Sequence, residues 1–172
     1  VSRGSEIRIF DGEGNHAVAE LTDVISKRAV LLVKQQLQSL PTSSPVHLLI
    51  GLPKGPAMDL AIRMATEAGV REIHPMLCER SVARGDRDTR WRTISQSACQ
   101  QSGRTDIPVI HKLLPMKAAL HLPAEINDRR IALPNNSTGT SAVGPSAIAI
   151  GPEGGFTTGE VKIALSMGYE PV

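Results

Sequence analysis

The sequence predicts an α/β protein, a parallel sheet covered by helices, preceded by a small all-β unit. Three observations carry this expectation. From Val46 onward, short apolar runs alternate with segments of helical periodicity, the pattern of a parallel sheet with helices on both faces. Before Leu40, three short segments show strand character with no helix between them. Between the two regions, Leu40-Pro41-Thr42-Ser43-Ser44-Pro45 has linker composition. The division is therefore residues 1–43 and 44–172.

Glu6-Ile7-Arg8-Ile9-Phe10 alternates polar and apolar, and Asp11-Gly12-Glu13-Gly14 supplies turn chemistry. His16 to Val24 is the second strand, with Ala17, Ala19 and Leu21 on one face, and Arg28 to Val33 is the third. Gln35 to Ser39 is ambiguous. Val46 to Leu52 reads as a buried strand. Gly55-Pro56 opens a helix with Asp59 in its first turn, Leu60, Ala61, Met64 and Ala68 as its expected buried stripe, and Gly69 as its stop. Glu72 to Cys78 is a strand, and Thr89 to Gln101 a helix with Trp91, Ile94 and Ala98 on one face. Ile107 to Ile110 is a strand, Pro115 to Leu122 a short helix, and Arg130 to Leu133 a strand. Ser137 to Gly144 is a loop, followed by a strand from Ala147 to Ile150 and a helix from Thr157 to Met167.

The most informative stretch is Ile150-Gly151-Pro152-Glu153-Gly154-Gly155-Phe156-Thr157-Thr158-Gly159-Glu160. It reads as strand end, glycine loop and helix start, with Thr157 and Glu160 spaced as a capping box. Such a loop aims backbone N–H groups at the positive end of a helix dipole and admits a ligand without a Cβ in the way. It has two readings, a ligand loop at the carboxyl end of a strand or a tight turn. The spacing contains neither G-x-G-x-x-G nor G-x-x-x-x-G-K-[ST], so ordinary dinucleotide and nucleoside-triphosphate loops are not indicated.

Composition narrows the classes. Hydrophobic residues make up 41% and charged residues 21%, as in globular proteins. Aromatics are 2%, too few for a base-stacking platform. The net charge of +2 is compatible with nucleic-acid binding without arguing for it. Yet Glu79 to Arg104 carries six arginines against three acids, a local excess larger than that of the whole chain. Cys78 and Cys99 lack metal-ligand spacing and read as buried thiols in a reducing compartment, so no metal is expected. No run reaches membrane-spanning length, and a cytoplasmic location is expected. His47, His74, His111 and His121 are scattered and read as structural.

Several stretches then agree. Gly51-Leu52-Pro53-Lys54-Gly55, Ala65-Thr66-Glu67-Ala68-Gly69-Val70, Glu79-Arg80-Ser81, Arg90-Trp91, Gln101-Ser102-Gly103-Arg104 and Ile150-Gly151-Pro152-Glu153-Gly154-Gly155-Phe156 stand in order along the chain. Together they resemble the RsmE-type methyltransferases of the SPOUT class. The resemblance implies methylation of the N3 position of a uridine in 16S ribosomal RNA of the small subunit, with S-adenosylmethionine as cofactor. It also implies a PUA-like β-barrel, here partial, before an α/β domain with a C-terminal trefoil knot, and a homodimer. The family continues beyond Val172 with a segment that completes the knot and carries an arginine thought to be catalytic, so no catalytic residue is assigned here. A chain ending at Val172 is expected to expose the apolar faces of the helices at Pro56–Ala68 and Thr157–Met167.

By the same resemblance, Leu133, Pro134, Ile150, Gly151, Pro152, Glu153, Gly154 and Gly155 match two cofactor loops. Glu153 has two readings, a partner for the sulfonium or ribose, or a cap on the following helix from outside. Lys54, Arg80, Arg84 and Arg104 are the expected phosphate contacts to RNA. Trp91 is expected in the core. The competing functional readings are a non-catalytic RNA-binding protein of the same fold and a phosphate-ligand domain using the glycine loop as an anion nest.

Overall fold

The computed structural model describes residues 2–38, 44–82, 88–134, 136 and 144–172. The first unit is an antiparallel sheet of β1 (Glu6–Phe10), β2 (His16–Ile25) and β3 (Arg28–Leu37), with β2 in the centre. β2 buries Ala17, Ala19 and Leu21 and turns its alternate residues outward, as its period of two requires. β3 runs through Gln35 to Leu37, the stretch ambiguous in sequence, because Gln35, Gln36 and Leu37 pair with Val18, Ala17 and His16. It leaves Val30, Leu32 and Val33 exposed.

The turn after β1 joins this unit to the rest of the chain. The Ile107 N–H donates to the Gly12 carbonyl at 2.9 Å, and the Gly14 N–H to the Thr105 carbonyl at 3.1 Å. A Cβ on Gly12 would stand 2.9 Å from Ile107 Cδ1, and its φ of +86° lies in the left-handed region, so glycine is required twice over.

The second sheet is parallel throughout. It contains β4 (Ser44–Gly51), β5 (Val70–Leu77), β6 (Val109–Ile110), β7 (Leu114–Pro115), β8 (Asp128–Ile131), β9 (Ser146–Ile150) and β10 (Glu170–Pro171), in the order β10-β8-β9-β4-β5-β6, with β7 also beside β5. The helices are α1 (Ala57–Glu67), α2 (Asp88–Ser102), α3 (Met116–Ala119) and α4 (Thr158–Ser166). Successive residues of β4 serve opposite cores. Leu48 joins Ile73, Ile110, Met58, Ile62 and Trp91 under α1 and α2. Leu49 joins Met76, Ile131, Ala149, Leu120, Ala164 and Tyr169 under α3 and α4. Both faces are thus covered, which explains the apolar runs Leu48-Leu49-Ile50 of β4 and Ala147-Ile148-Ala149-Ile150 of β9.

One expected face is corrected. α1 buries Met58, Ile62, Ala65 and Thr66, while Leu60 and Met64 are 53% and 59% exposed. Both sets have helical spacing. The sheet selects the first because Met58 and Ile62 meet Leu48 and Ile73. The α1 stop is as expected, with Gly69 at φ +88°. On α4, Leu165 is exposed.

Candidate functional site

In a parallel sheet the carboxyl ends of the strands share one edge, and ligands bind there. Here that edge gathers the segments after β4, β5, β8 and β9. The segment after β9 folds back on itself. The Gly155 N–H donates to the Pro152 carbonyl at 2.7 Å, and Gly155 has φ +67°. A Cβ on Gly151 would lie 3.2 Å from the Gly155 carbonyl carbon and 3.3 Å from Phe156 Cδ2. The turn then runs into α4 through the expected capping box. The Glu160 N–H donates to Thr157 Oγ1 at 3.2 Å, and the Thr157 N–H to Glu160 Oε2 at 2.8 Å.

Three contacts fix this loop to its neighbours. Glu153 Oε1 accepts the Lys54 N–H at 2.9 Å, which holds the loops after β4 and β9 together. Its own backbone N–H first, and then the Lys54 N–H, keep the Glu153 carboxyl below the usual range. Its side chain thus ties two loops together, whereas α4 is capped by Thr157 and Glu160 rather than by Glu153. Glu160 Oε1 accepts the Glu79 N–H at 2.8 Å, anchoring the segment after β5. Arg80 crosses the loop and donates from a terminal guanidinium nitrogen to the Gly154 carbonyl at 2.7 Å.

All eight residues expected at the cofactor loops line one cavity of about 460 Å³, together with Ala132, Phe156 and Arg80. Leu133 and Pro134 enter it from the loop after β8, which ends at Ile131, two residues earlier than expected. The size falls within the few hundred to about a thousand Å³ of ordinary small-molecule sites. A second cavity of about 630 Å³ lies where the first unit meets the end of α2, lined by Arg8, His16, Gln96, Gln100 and Thr105 among others. His16 Nδ1 and Thr105 Oγ1 are buried beside it without a hydrogen-bond partner.

The four expected phosphate contacts separate. Lys54 is exposed on the loop after β4, and Arg80 is exposed on the rim of the smaller cavity. Arg84 lies outside the described residues. Arg104 is corrected: it is 6% exposed and spends its guanidinium internally. It donates to the Thr66 and Val70 carbonyls at 2.6 and 3.2 Å and pairs with Asp106 at 2.9 Å. It thus satisfies carbonyls at the end of α1, which has no basic residue in its last turn. A sequence reading cannot separate a capping arginine from a phosphate-binding one, because the partner carbonyls lie more than thirty residues away.

Trp91 is buried as expected. Burial and the nearby Glu160 push the Cys78 thiol up to about 12. Three of the four scattered histidines, His47, His74 and His111, meet around Glu72 where β4, β5 and β6 lie side by side.

A family model described as an RNA methyltransferase domain matches residues 40–172. The crystal structure of a ribosomal RNA small subunit methyltransferase E from Neisseria gonorrhoeae, bound to S-adenosyl methionine, superimposes with a TM-score of 0.89 at 30% identity. The match covers 100% of this chain and 76% of that one. The chain belongs to the ribosomal RNA small subunit methyltransferase E family. The relative of the same name in Synechocystis is 30% identical over 186 residues, covering all of this chain. The one in Rickettsia conorii is 27% identical over 169 residues, covering 93% of it. The chain spans 60% of the length of the first and 68% of the second.

Proposed function

We propose that this chain binds S-adenosylmethionine in the cavity at the carboxyl ends of β8 and β9 and methylates N3 of a uridine in 16S ribosomal RNA. The observation that carries the reading is the convergence of all eight residues expected at the cofactor loops on that one cavity. When bound, the cofactor supplies an electrophilic methyl group on a sulfonium.

The residues present fit such a group. Leu133 and Ile150 give apolar walls, and Gly151, Gly154 and Gly155 let backbone approach closely where side chains would obstruct. The uridine N3–H must lose its proton at or before attack. Glu153, the one carboxylate among the described lining residues, already accepts the Lys54 N–H. The contribution of this part of the chain is therefore positioning together with positive charge. Arg80 at the rim keeps guanidinium N–H groups beyond those given to the Gly154 and Phe156 carbonyls, and these favour a developing uracil anion or an adjacent phosphate.

The finer architecture belongs to the same proposal. The antiparallel β1–β3 sheet supports reading residues 1–43 as part of a PUA-like barrel that receives RNA, and residues 44–172 as the methyltransferase domain. The order β10-β8-β9 supports reading the carboxyl-terminal strands as part of a trefoil knot. A homodimer acting on the small subunit in the cytoplasm completes it.

Calorimetry against S-adenosylmethionine and ATP, followed by transfer of a labelled methyl group to 16S ribosomal RNA by the full-length polypeptide, tests the reading. Saturable binding of S-adenosylmethionine alone, with label mapped to a uridine N3, is expected. Preference for ATP, or label at another atom, would overturn it.

A further inference from the structure

His47 on β4, Glu72 and His74 on β5, and His111 just after β6 come from three adjacent strands. The β4–β5 register sets His47 beside Glu72 and Leu49 beside His74, and the His111 N–H donates to the Ile73 carbonyl at 2.9 Å. Three side-chain atoms turn toward one point. His47 Nδ1 and His74 Nε2 are 3.2 Å apart, and Glu72 Oε2 is 3.6 Å from each. Each imidazole nitrogen carries either a proton or a lone pair, so this cluster is closed by N–H hydrogen bonds in one set of tautomers or by a cation between three lone pairs in the other.

We propose that His47, Glu72 and His74 form a binding site for a borderline divalent metal ion of the zinc type. The spacing is what such an ion demands. Zinc–nitrogen and zinc–oxygen bonds of about 2.0–2.1 Å in a tetrahedron put neighbouring ligand atoms roughly 3.3 Å apart. The three observed separations bracket that value. Two imidazoles and one carboxylate suit zinc, or cobalt as its spectroscopic substitute, better than magnesium or calcium, which prefer oxygen ligands.

His111 completes the arrangement from outside. Its Nε2 stands 2.7 Å from Glu72 Oε2, and its ring stacks on His74 at 4.1 Å between centroids. An outer hydrogen-bonding partner of this kind orients a ligating carboxylate. The site opens to solvent through His111, whose side chain is 39% exposed, while His47 and His74 are 11% and 12% exposed.

The site is distinct from the cofactor cavity. His47 precedes Gly51 by four strand residues, roughly 13 Å at the rise of a β-strand, and so lies mid-strand, away from the loop after β4 that borders that cavity. A metal there pins β4, β5 and the segment after β6 rather than taking part in methyl transfer.

The test uses tag-free, chelator-treated protein of the full chain, titrated with Zn²⁺ alone in calorimetry and with Co²⁺ alone in visible absorption. One equivalent of Zn²⁺ is expected to bind. Co²⁺ is expected to give the intense bands of a tetrahedral centre, lost in His47→Gln and His74→Gln. Saturating Zn²⁺ should raise the unfolding midpoint by roughly 5 °C. His111→Ala should weaken Zn²⁺ by about tenfold without abolishing the Co²⁺ spectrum. Absence of stoichiometric Zn²⁺ binding in the unaltered chain would overturn the proposal. So would weak octahedral Co²⁺ bands, or a spectrum retained when both histidines are replaced in a variant that still unfolds cooperatively.

Discussion

Two glycines of the cofactor edge look alike in sequence and differ in what surrounds them. A Cβ on Gly51 would stand 2.6 Å from Pro152 Cδ and 2.7 Å from its nitrogen, so the obstacle is a ring and a backbone. A Cβ on Gly154 would meet Arg80 Cβ at 3.2 Å and Cδ at 3.3 Å, part of a flexible exposed side chain. Gly51→Ala is therefore expected to cost folding stability, about 1–3 kcal/mol by urea denaturation, because the loops after β4 and β9 must part. Gly154→Val is expected to keep a cooperative fold and to lower S-adenosylmethionine affinity at least tenfold, by displacing Arg80 and filling the cavity rim. Equal stabilities for the two variants would refute the distinction. The thiols give a second check at this scale. Cys78 is buried, with its pKa pushed up to about 12, and Cys99 is fully buried. A disulfide reagent at pH 8 should therefore modify both only at the rate of unfolding; fast labelling of either would contradict the packing.

At the scale of elements, what was legible in the sequence was what is decided locally. The capping box of α4 could be read because Thr157 and Glu160 lie three residues apart and bond only to each other's backbone within that turn. The second job of Glu160, holding the Glu79 N–H, could not be read, since it depends on where the segment after β5 lands. This sets up a comparison. Thr157→Ala removes one cap and should cost about 1 kcal/mol. Glu160→Ala leaves two part-buried N–H donors, those of Thr157 and Glu79, without their carboxylate and should cost about 2 kcal/mol. Similar losses in chemical denaturation would show that the Glu79 bond adds nothing. The same limit explains the face of α1, where two apolar stripes compete and only contact with β4 and β5 decides. It explains the histidines too. His47, His74 and His111 are separated by tens of residues and become neighbours only through the registers of β4, β5 and β6. The loop after β9 was readable as strand end, turn and helix start for the opposite reason: the glycine run and its helix start are contiguous.

Across the whole molecule, a net charge of +2 gives little long-range attraction for RNA, so phosphate binding must rest on particular cations. The excess of arginines between Glu79 and Arg104 overstates how many are available, since Arg104 serves the end of α1 and Arg90 pairs with Asp59 across α1 and α2. Lys54 and Arg80 remain exposed on the edge that holds the proposed cofactor cavity, where under that proposal a target uridine would approach. Replacing both by Ala should weaken binding to a 16S ribosomal RNA fragment. The slope of log K against log salt should fall by roughly 1.5, since each phosphate contact contributes about 0.7–0.9. Arg104→Ala should leave that slope unchanged while lowering the unfolding midpoint, because its charge faces carbonyls and Asp106 rather than RNA. Arg84→Ala, measured separately, adds a further decrement of about 0.7–0.9 if that arginine reaches a phosphate. Fluorescence anisotropy at several salt concentrations, well below the melting range of each variant, reads all of these together. A slope unmoved by the Lys54 and Arg80 replacements, or a slope reduced by Arg104→Ala alone, would place the RNA on a different face of the molecule.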